Sequence, residues 1–503
     1  DIAAATNTFK TNGTSPLSAT AQMGDVLNLG TVKASKLYIE GKNVKVLNTD
    51  AVTDVHGTEL TGSAVTIRSE ETPHIGYDVA NTTTRNFTVN GATVSKTVSD
   101  YASTNVAHHA ASAKSRGWDV KKLNGTDAHT DYDYMRVHDV YELQHMDAIQ
   151  ENPDPSDPTK KRTLGRYMLA GNINAHETKG WTEGLVKGFQ SIGTSNKPFA
   201  GRFDGAGHTI TGLNVQPGSS GVSEDQDRGM FGYTKNAVIE NVSLKDASVS
   251  GTSQVGGIVG VADEGSVIRN VSFSGKVSGP STGTYAGGSI GGIVGKLKLG
   301  SRIENAYNAG TVEGNSFVGG IVGHAVFNST VQNVRNAGTV EGNSAVGGIA
   351  GLVEEYSSVR NAVQTGDVEQ RTGQTDLTVG GVVGWLKDST LSHAVWKEGT
   401  VKDGNGALIR KGIGKDQGNT TVSDVKECSL DDMKKAKTYA EWGSDVVATE
   451  GGKGTPWRIY DGKTMPLLTA FLRTKHLANR EQVYDGTAPT IAGGDHISLD
   501  AEK

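Results

Sequence analysis

Cysteine is almost missing from this chain: Cys428 is the one thiol in 503 residues. No intramolecular disulfide framework can form, and a zinc site built on cysteine pairs is excluded. Aromatic residues make up 6% and hydrophobic residues 35%, too little bulk for a broad three-dimensional core. Neither sign of charge dominates, because 49 Lys and Arg face 55 Asp and Glu for a net −6. No basic field exists to hold a phosphate backbone, so nucleic acid is not an expected partner. No apolar run nears the eighteen or so residues of a membrane span, and no membrane insertion is expected. The start, Asp1-Ile2-Ala3, carries neither an initiator Met nor a signal peptide, so the chain reads as a segment of a longer exported protein.

Glycine is what the chain has in excess: 67 residues, about twice the usual share. Many of them fall in a repeat. Val255-Gly256-Gly257-Ile258-Val259-Gly260 returns with small changes from Ile290, Val318, Val346 and Val379, at steps of 35, 28, 28 and 33 residues. Gly291, Gly292, Gly319, Gly320, Gly347, Gly348, Gly380 and Gly381 occupy the matching double-glycine positions. Gly229-Met230-Phe231-Gly232 is a degenerate forerunner. Each hexapeptide is followed by an apolar-x-Asn-[Val/Ala] piece that places Asn241, Asn270, Asn305, Asn333 and Asn361 in equivalent positions, with His393 replacing the last. A third piece, such as Ala309-Gly310-Thr311-Val312, completes the period. Three short β-prone pieces per period describe a coil that returns on itself and stacks on the next. The expected fold is all-β: a right-handed parallel β-helix, or β-solenoid, with short helical and loop excursions. Glycine pairs would let the chain bend sharply and bring backbones close, and the asparagines would form an internal or corner ladder of amide hydrogen bonds.

Residues 1–105 carry a looser alternation (Val26, Leu27, Leu37, Ile39, Val44, Val46, Val65, Ile67) that reads as a less regular solenoid shaft. Residues 106–164 are a loop-rich excursion containing a short helix at 139–150, where Asp139 is the cap and Val140, Leu143, Met146 and Ile149 recur. Residues 165–228 lead into the repeats at 229–425. A second helix over 429–442, capped by Ser429, would close the array within a segment at 426–475, and 476–503 form a linker and the start of another repeat type.

These motifs resemble a known family. The glycine hexapeptides and their Asn partners look like GLUG-motif repeats, and Gly165–Ile173 with Pro198–Ile210 resembles the segment that introduces them. Val140-Tyr141-Glu142-Leu143-Gln144, Trp457-Arg458-Ile459-Tyr460-Asp461-Gly462 and Val483-Tyr484-Asp485-Gly486-Thr487 add a likeness to filamentous-haemagglutinin-like exoproteins of two-partner secretion. The resemblance implies a structural shaft or binding segment of a large secreted bacterial adhesin at the cell surface. It also implies an outer-membrane transporter acting on regions outside this segment, and contact with host glycan or surface protein. The same repeats resemble the non-catalytic N-terminal module of IgA-cleaving metallopeptidases. Such an enzyme would carry H-E-x-x-H, and His176-Glu177-Thr178-Lys179-Gly180 fails at the second histidine.

No catalytic reading is expected. A carbohydrate-active β-helix would need carboxylates converging from neighbouring coils, whereas Asp131/Asp133, Asp225/Asp227 and Glu354/Glu355 do not recur from coil to coil. No cofactor or metal is expected, since His108, His109, His129, His138 and His145 lack a ligand spacing. The Asn-x-Ser/Thr triplets at Asn241 and Asn270 belong to the ladder rather than to glycosylation. The loop aromatics Tyr132 and Tyr134, with Trp181, are the candidates for glycan contact, against the ordinary alternative that they cover the flank of the shaft.

Overall fold

Every backbone pairing between successive glycine hexapeptides in the computed structural model is parallel and in register. Val255 faces Ile290, then Val318, Val346 and Val379. The structure describes residues 166–181, 187–216, 227–280, 288–371, 378–448 and 454–472 in full, most of 137–146, and the backbone of further strands between residues 9 and 187. The chain divides into two compact units, residues 1–427 and 428–503.

In the first unit the period written in the sequence becomes a coil with three strands. The hexapeptide supplies two of them, Val255–Gly256 and Val259–Asp263 in one coil. The Asn piece and the third piece run together as Val267–Ser278. Equivalent strands of successive coils form three parallel sheets, so the all-β, parallel β-solenoid expectation holds. The long sheet begins before the repeats, since Arg166–Leu169 pairs with Arg202–Thr211, and that strand with Val238–Ser250.

Parallel pairing at about 4.8 Å places each inward side chain on its own counterpart. Ile239, Ile268, Ile303, Val331, Val359 and Leu391 form one column. Val249, Val277, Val312, Val340, Val368 and Val401 form a second. Ile258, Ile293, Ile321, Ile349 and Val382 are also fully buried. Each column removes apolar surface at roughly 25 cal/mol per Å². A narrow interior of medium aliphatics explains how a chain with so few aromatics fills its core. The rings it has gather where the repeats start: Phe231 lies 4.8 Å from Phe199 and 5.5 Å from Phe203, and Phe199 lies 6.3 Å from Tyr167.

The glycine pairs do not turn corners by adopting positive φ. The first glycine of each pair ends a strand and the second sits in the bend between the hexapeptide's two strands, where nothing larger fits. A Cβ on Gly292 would stand 2.7 Å from the Asn308 carboxamide carbon, and one on Gly320 would overlap both Asn336 and the Gly348 carbonyl. The first glycine of each pair, such as Gly319, meets the carbonyl of its own coil three residues on. Gly300 is the opposite case: its φ is +72° and its space is open.

Near the N-terminus, Leu17–Thr20, Leu37–Gly41 and Gly62–Ser69 pair in parallel, with Leu37 facing Val65 and Ile39 facing Ile67. Thr84–Val89 and Ala92–Thr97 pair antiparallel. The expected helix at 139–150 is described over Val140–His145, where the Asp139 carboxylate accepts from the Glu142 amide at 2.8 Å. The expected helix over 429–442 is corrected. The Ser429 hydroxyl does accept from the Asp432 amide at 3.1 Å, yet 3-10 turns follow at Asp432–Lys434 and Ala436–Asp445, interrupted at Tyr439 and Gly443. Gly443 has φ +60°, which ends regular winding. That unit packs Trp442 5.1 Å from Tyr439 and 5.9 Å from Trp457. Residues 483–487 lie outside the described residues.

Two glycine substitutions separate space from backbone conformation. Gly320→Ala should lower stability by about 3 kcal/mol, through overlap with the next coil. Gly300→Ala should lower it by about 1 kcal/mol, through its φ alone. Urea midpoints from circular dichroism give the order, and equal effects would refute the close-approach explanation.

Candidate functional site: the stacked corners

Because every sheet position repeats, the polar features of the solenoid are ladders. Asn241, Asn270, Asn305, Asn333, Asn361 and His393 all adopt φ between 53° and 55°, a left-handed conformation that Asn tolerates better than most side chains. They bend the long strand at one corner, so of the two expected placements the corner is the observed one. Asn241 Nδ2 donates to Asp204 at 3.0 Å, Asn270 to Asn241 at 2.9 Å, Asn305 to Asn270 at 3.0 Å and Asn361 to Asn333 at 3.0 Å. The run breaks between Asn305 and Asn333, where Asn305 Oδ1 is buried without a partner. At Asn241 and Asn270 the amide nitrogen is occupied by its bond to the preceding coil.

A second amide ladder lies inside the core, three residues further along each coil. Asn308 Nδ2 donates to Asn336 Oδ1 at 2.7 Å, and Asn336 Nδ2 to Gln364 Oε1 at 2.9 Å. Each amide also bonds the backbone two residues on, as Asn308 does with both the N–H and the C=O of Gly310. Phe273 and Trp396 occupy the same register position on either side. Sequence reasoning missed this ladder, although the recurring amide before each Ala-Gly or Thr-Gly pair was its signal.

The third ladder is built of buried serines. The Ser266 amide donates to Ser301 Oγ at 3.1 Å, Ser329 to Ser357 at 3.2 Å and Ser357 to Ser389 at 3.2 Å. These serines anchor the corner between the second and third strands, and the residues just before them are displayed to solvent. Glu264 and Gly265, Leu299 and Gly300, Phe327 and Asn328, and Glu355 and Tyr356 all have positive φ. Leu299, Phe327 and Tyr356 are 46%, 47% and 80% exposed.

Beside that corner runs a charged flank. Asp263 accepts from Tyr233 at 2.6 Å and pairs with Lys298 at 3.1 Å. His324 Nε2 lies 3.0 Å from Glu354, whose other oxygen is 3.2 Å from Lys387. Burial first, and then the Lys296 ammonium, push His324 down to about 4 despite Glu354. The imidazole is therefore neutral and its Nε2–H donates a hydrogen bond to Glu354, while Lys387 supplies the opposing charge. Burial and Lys298 also lower Lys296. Glu354 and Glu355 do not act as a pair, since Glu354 serves the flank and Glu355 turns the corner. Among the described residues no group of three or more His, Cys, Asp and Glu side chains is placed to hold a metal.

Trp181 is 3% exposed and its ring lies 6.5 Å from Phe189, so it belongs to the core and is not presented to a ligand. Tyr132 lies outside the described residues, and Tyr134 is described only as backbone in Tyr134–Val137. The double glycines Gly256/Gly257, Gly291/Gly292, Gly319/Gly320, Gly347/Gly348 and Gly380/Gly381 sit at equivalent places in five coils.

Two predictions follow from these contacts. Asn336→Ala removes a shared partner of Asn308 and Gln364 and should lower stability by about 2–4 kcal/mol, read from urea unfolding. A loss below that of an exposed control such as Lys411→Ala would refute the ladder. Folding holds His324 neutral where the unfolded chain takes up a proton near 6.5. Its contribution is therefore complete above about pH 6.5 and is lost as pH falls towards 4, by at most about 1.4 kcal/mol per unit. His324→Gln should flatten the drop in urea midpoint between pH 7 and pH 5, and an unchanged drop would refute the assignment.

Halomucin from Haloquadratum walsbyi is 34% identical over 119 residues, which cover 22% of this chain and 1% of that protein. The chain therefore spans about one hundredth of the length of this curated relative. A solved structure of a candidate immunoglobulin A1 protease from Bacteroides ovatus superposes with a TM-score of 0.49 at 19% identity, covering 70% of this chain and 95% of that one. Residues 251–278 match the family model of the GLUG motif. They form one complete coil of the stack. The chain thus carries a GLUG motif in a parallel β-solenoid.

Proposed function

We propose that this chain is a non-catalytic spacer segment of a large, repeat-built adhesin at the bacterial cell surface, a filamentous-haemagglutinin-like exoprotein of two-partner secretion. The observation that carries this reading is the continuity of the inner columns. The same aliphatic positions are filled in coil after coil from Ile239 to Val401, so the repeats spend their sequence on stacking. Stability in such an array is close to a sum over coils and their interfaces, and length can be added without redesign. The GLUG match, and local identity to a protein so long that 119 residues are 1% of it, support a place in a very large repeat protein. The segments at 140–144 and 457–462 support the exoprotein reading, in which an outer-membrane transporter exports the chain to the cell surface.

A coil-insertion experiment tests the spacer role. A second copy of residues 318–345, inserted after Ala345, should leave the protein folded. It should also lengthen the distance between spin labels at Glu264→Cys and Asp416→Cys, with Cys428→Ser, by about 4.8 Å. A collapsed fold or an unchanged distance would overturn the reading. So would peptide or sugar release when the chain is incubated with immunoglobulin A or with polysaccharides.

A further inference from the structure

We infer that the corner carrying Leu299, Phe327 and Tyr356 is a binding site for a neutral, β-linked glycan chain, with the sugar rings laid along the stack, one against each displayed side chain. The inference rests on the surface-spacer reading and adds a contact to it.

The corner works without apolar residues. Its neighbours use Asn236, Gly265 and Asp388, which suit positive φ or tolerate it with a short polar side chain, and Glu264 and Glu355 hold it with a longer polar one. Leu299, Phe327 and Tyr356 hold φ at +50°, +56° and +61°. They therefore bear backbone strain and exposed apolar surface together, in three consecutive coils. Neither penalty serves the core, because the buried serines and the backbone bonds already hold the turn. Gly265 N–H donates to the Leu299 carbonyl, Gly300 to Phe327, Asn328 to Glu355 and Tyr356 to Asp388, all at 2.9–3.0 Å. Strain of this kind concentrates at sites where a side chain must be aimed.

The chemistry of the corner selects the occupant. Leu299 and Phe327 stand in the same turn position on adjacent coils, about 4.8 Å apart, a step close to the advance per sugar of an extended glycan. Apolar and aromatic faces suit the C–H faces of pyranose rings. The exposed Asn328 and the corner carboxylate of Glu355 stand among them for hydroxyl groups. Of the nearby cations, Lys235 is matched to Glu264 at 2.6 Å, Lys298 to Asp263 at 3.1 Å and Lys387 to Glu354 at 3.2 Å. On the same flank Lys296 is half-buried and Lys415 lies over the Trp385 ring at 4.1 Å, so no continuous row of free cations faces a polyanion. A protein partner fits poorly as well. Three side chains offering at most ~200 Å² each fall short of the roughly 800 Å² per partner of a stable protein interface.

The test is calorimetric titration of the full chain with cellohexaose, chitohexaose and, as polyanion control, heparin. The comparison is a variant carrying Leu299→Gly, Phe327→Gly and Tyr356→Asn. At least one neutral hexamer should bind the parent chain, and the variant should bind it about tenfold or more weakly. Its melting midpoint should be unchanged or higher, because residues suited to positive φ replace strained ones. The single variant Phe327→Asn should show the same direction if the triple one does not fold. The inference is overturned by failure of both hexamers to bind the parent, by equal binding to the variant, by binding of heparin alone, or by self-association of the parent that the variant abolishes. The spin-label spacing across the coils is read in the same variant. Intact spacing with no glycan binding removes this inference alone, whereas failure of the inserted coil to lengthen the spacing removes the spacer reading.

Discussion

Stacking each residue on its own counterpart at a fixed strand spacing is the constraint from which the rest of this fold follows. An inward position must hold a side chain that packs against near-copies of itself on both sides, which favours Val, Ile and Leu. A polar position must offer both a donor and an acceptor along the stack, which favours Asn, Gln and Ser. A position where two coils' backbones approach must have no side chain, which leaves glycine. The residue types found in the columns, the ladders and the double glycines are these three answers.

The ladders do more than satisfy buried groups. Slipping one coil by a single residue would put aliphatic carbon opposite the amides of Asn308, Asn336 and Gln364, which are buried and bonded in a row. An unsatisfied buried amide costs far more than a bonded one returns. The aliphatic columns supply most of the stabilisation and the amide rows forbid the wrong alignment. On the other face of the strand the buried Glu240 is held between Arg202 and Arg269, and at the next positions along that row Gln332 bridges Glu304 and Arg360 in a more exposed version of the same matching.

What repeats was legible in the sequence. The hexapeptides, the columns and the asparagine row stand out because a position that must match its copies keeps its identity from period to period. The glycine pairs were legible in both their roles, a sharp bend and a close approach, and the backbone angles add that the bend is made without positive φ. Sequence alone left the asparagine row between core and corner, until the positive φ decided. The serine row escaped because a lone Ser every coil looks like ordinary loop composition. Leu299, Phe327 and Tyr356 escaped because they share a corner without sharing an identity, and Tyr356 stands one residue further along than the other two. The helix expected over 429–442 failed at Lys435, whose extended backbone separates the two 3-10 stretches, and at Tyr439, local choices that apolar spacing does not report. Trp181 looked like a loop aromatic, and only the position of Phe189 shows it to be interior.

The two amide ladders also have direction. At the corner each later coil gives its N–H to the oxygen of the coil before it, while inside the core the giving runs from earlier to later. A row of amides bonded this way is chemically unlike at its two ends, one terminating in an acceptor and the other in a donor. The two rows run in opposite directions within one stack. An added coil must present an acceptor to one row and a donor to the other in the same step. Growth of such a stack is therefore vectorial, and a copy inserted upside down would meet like against like in both rows.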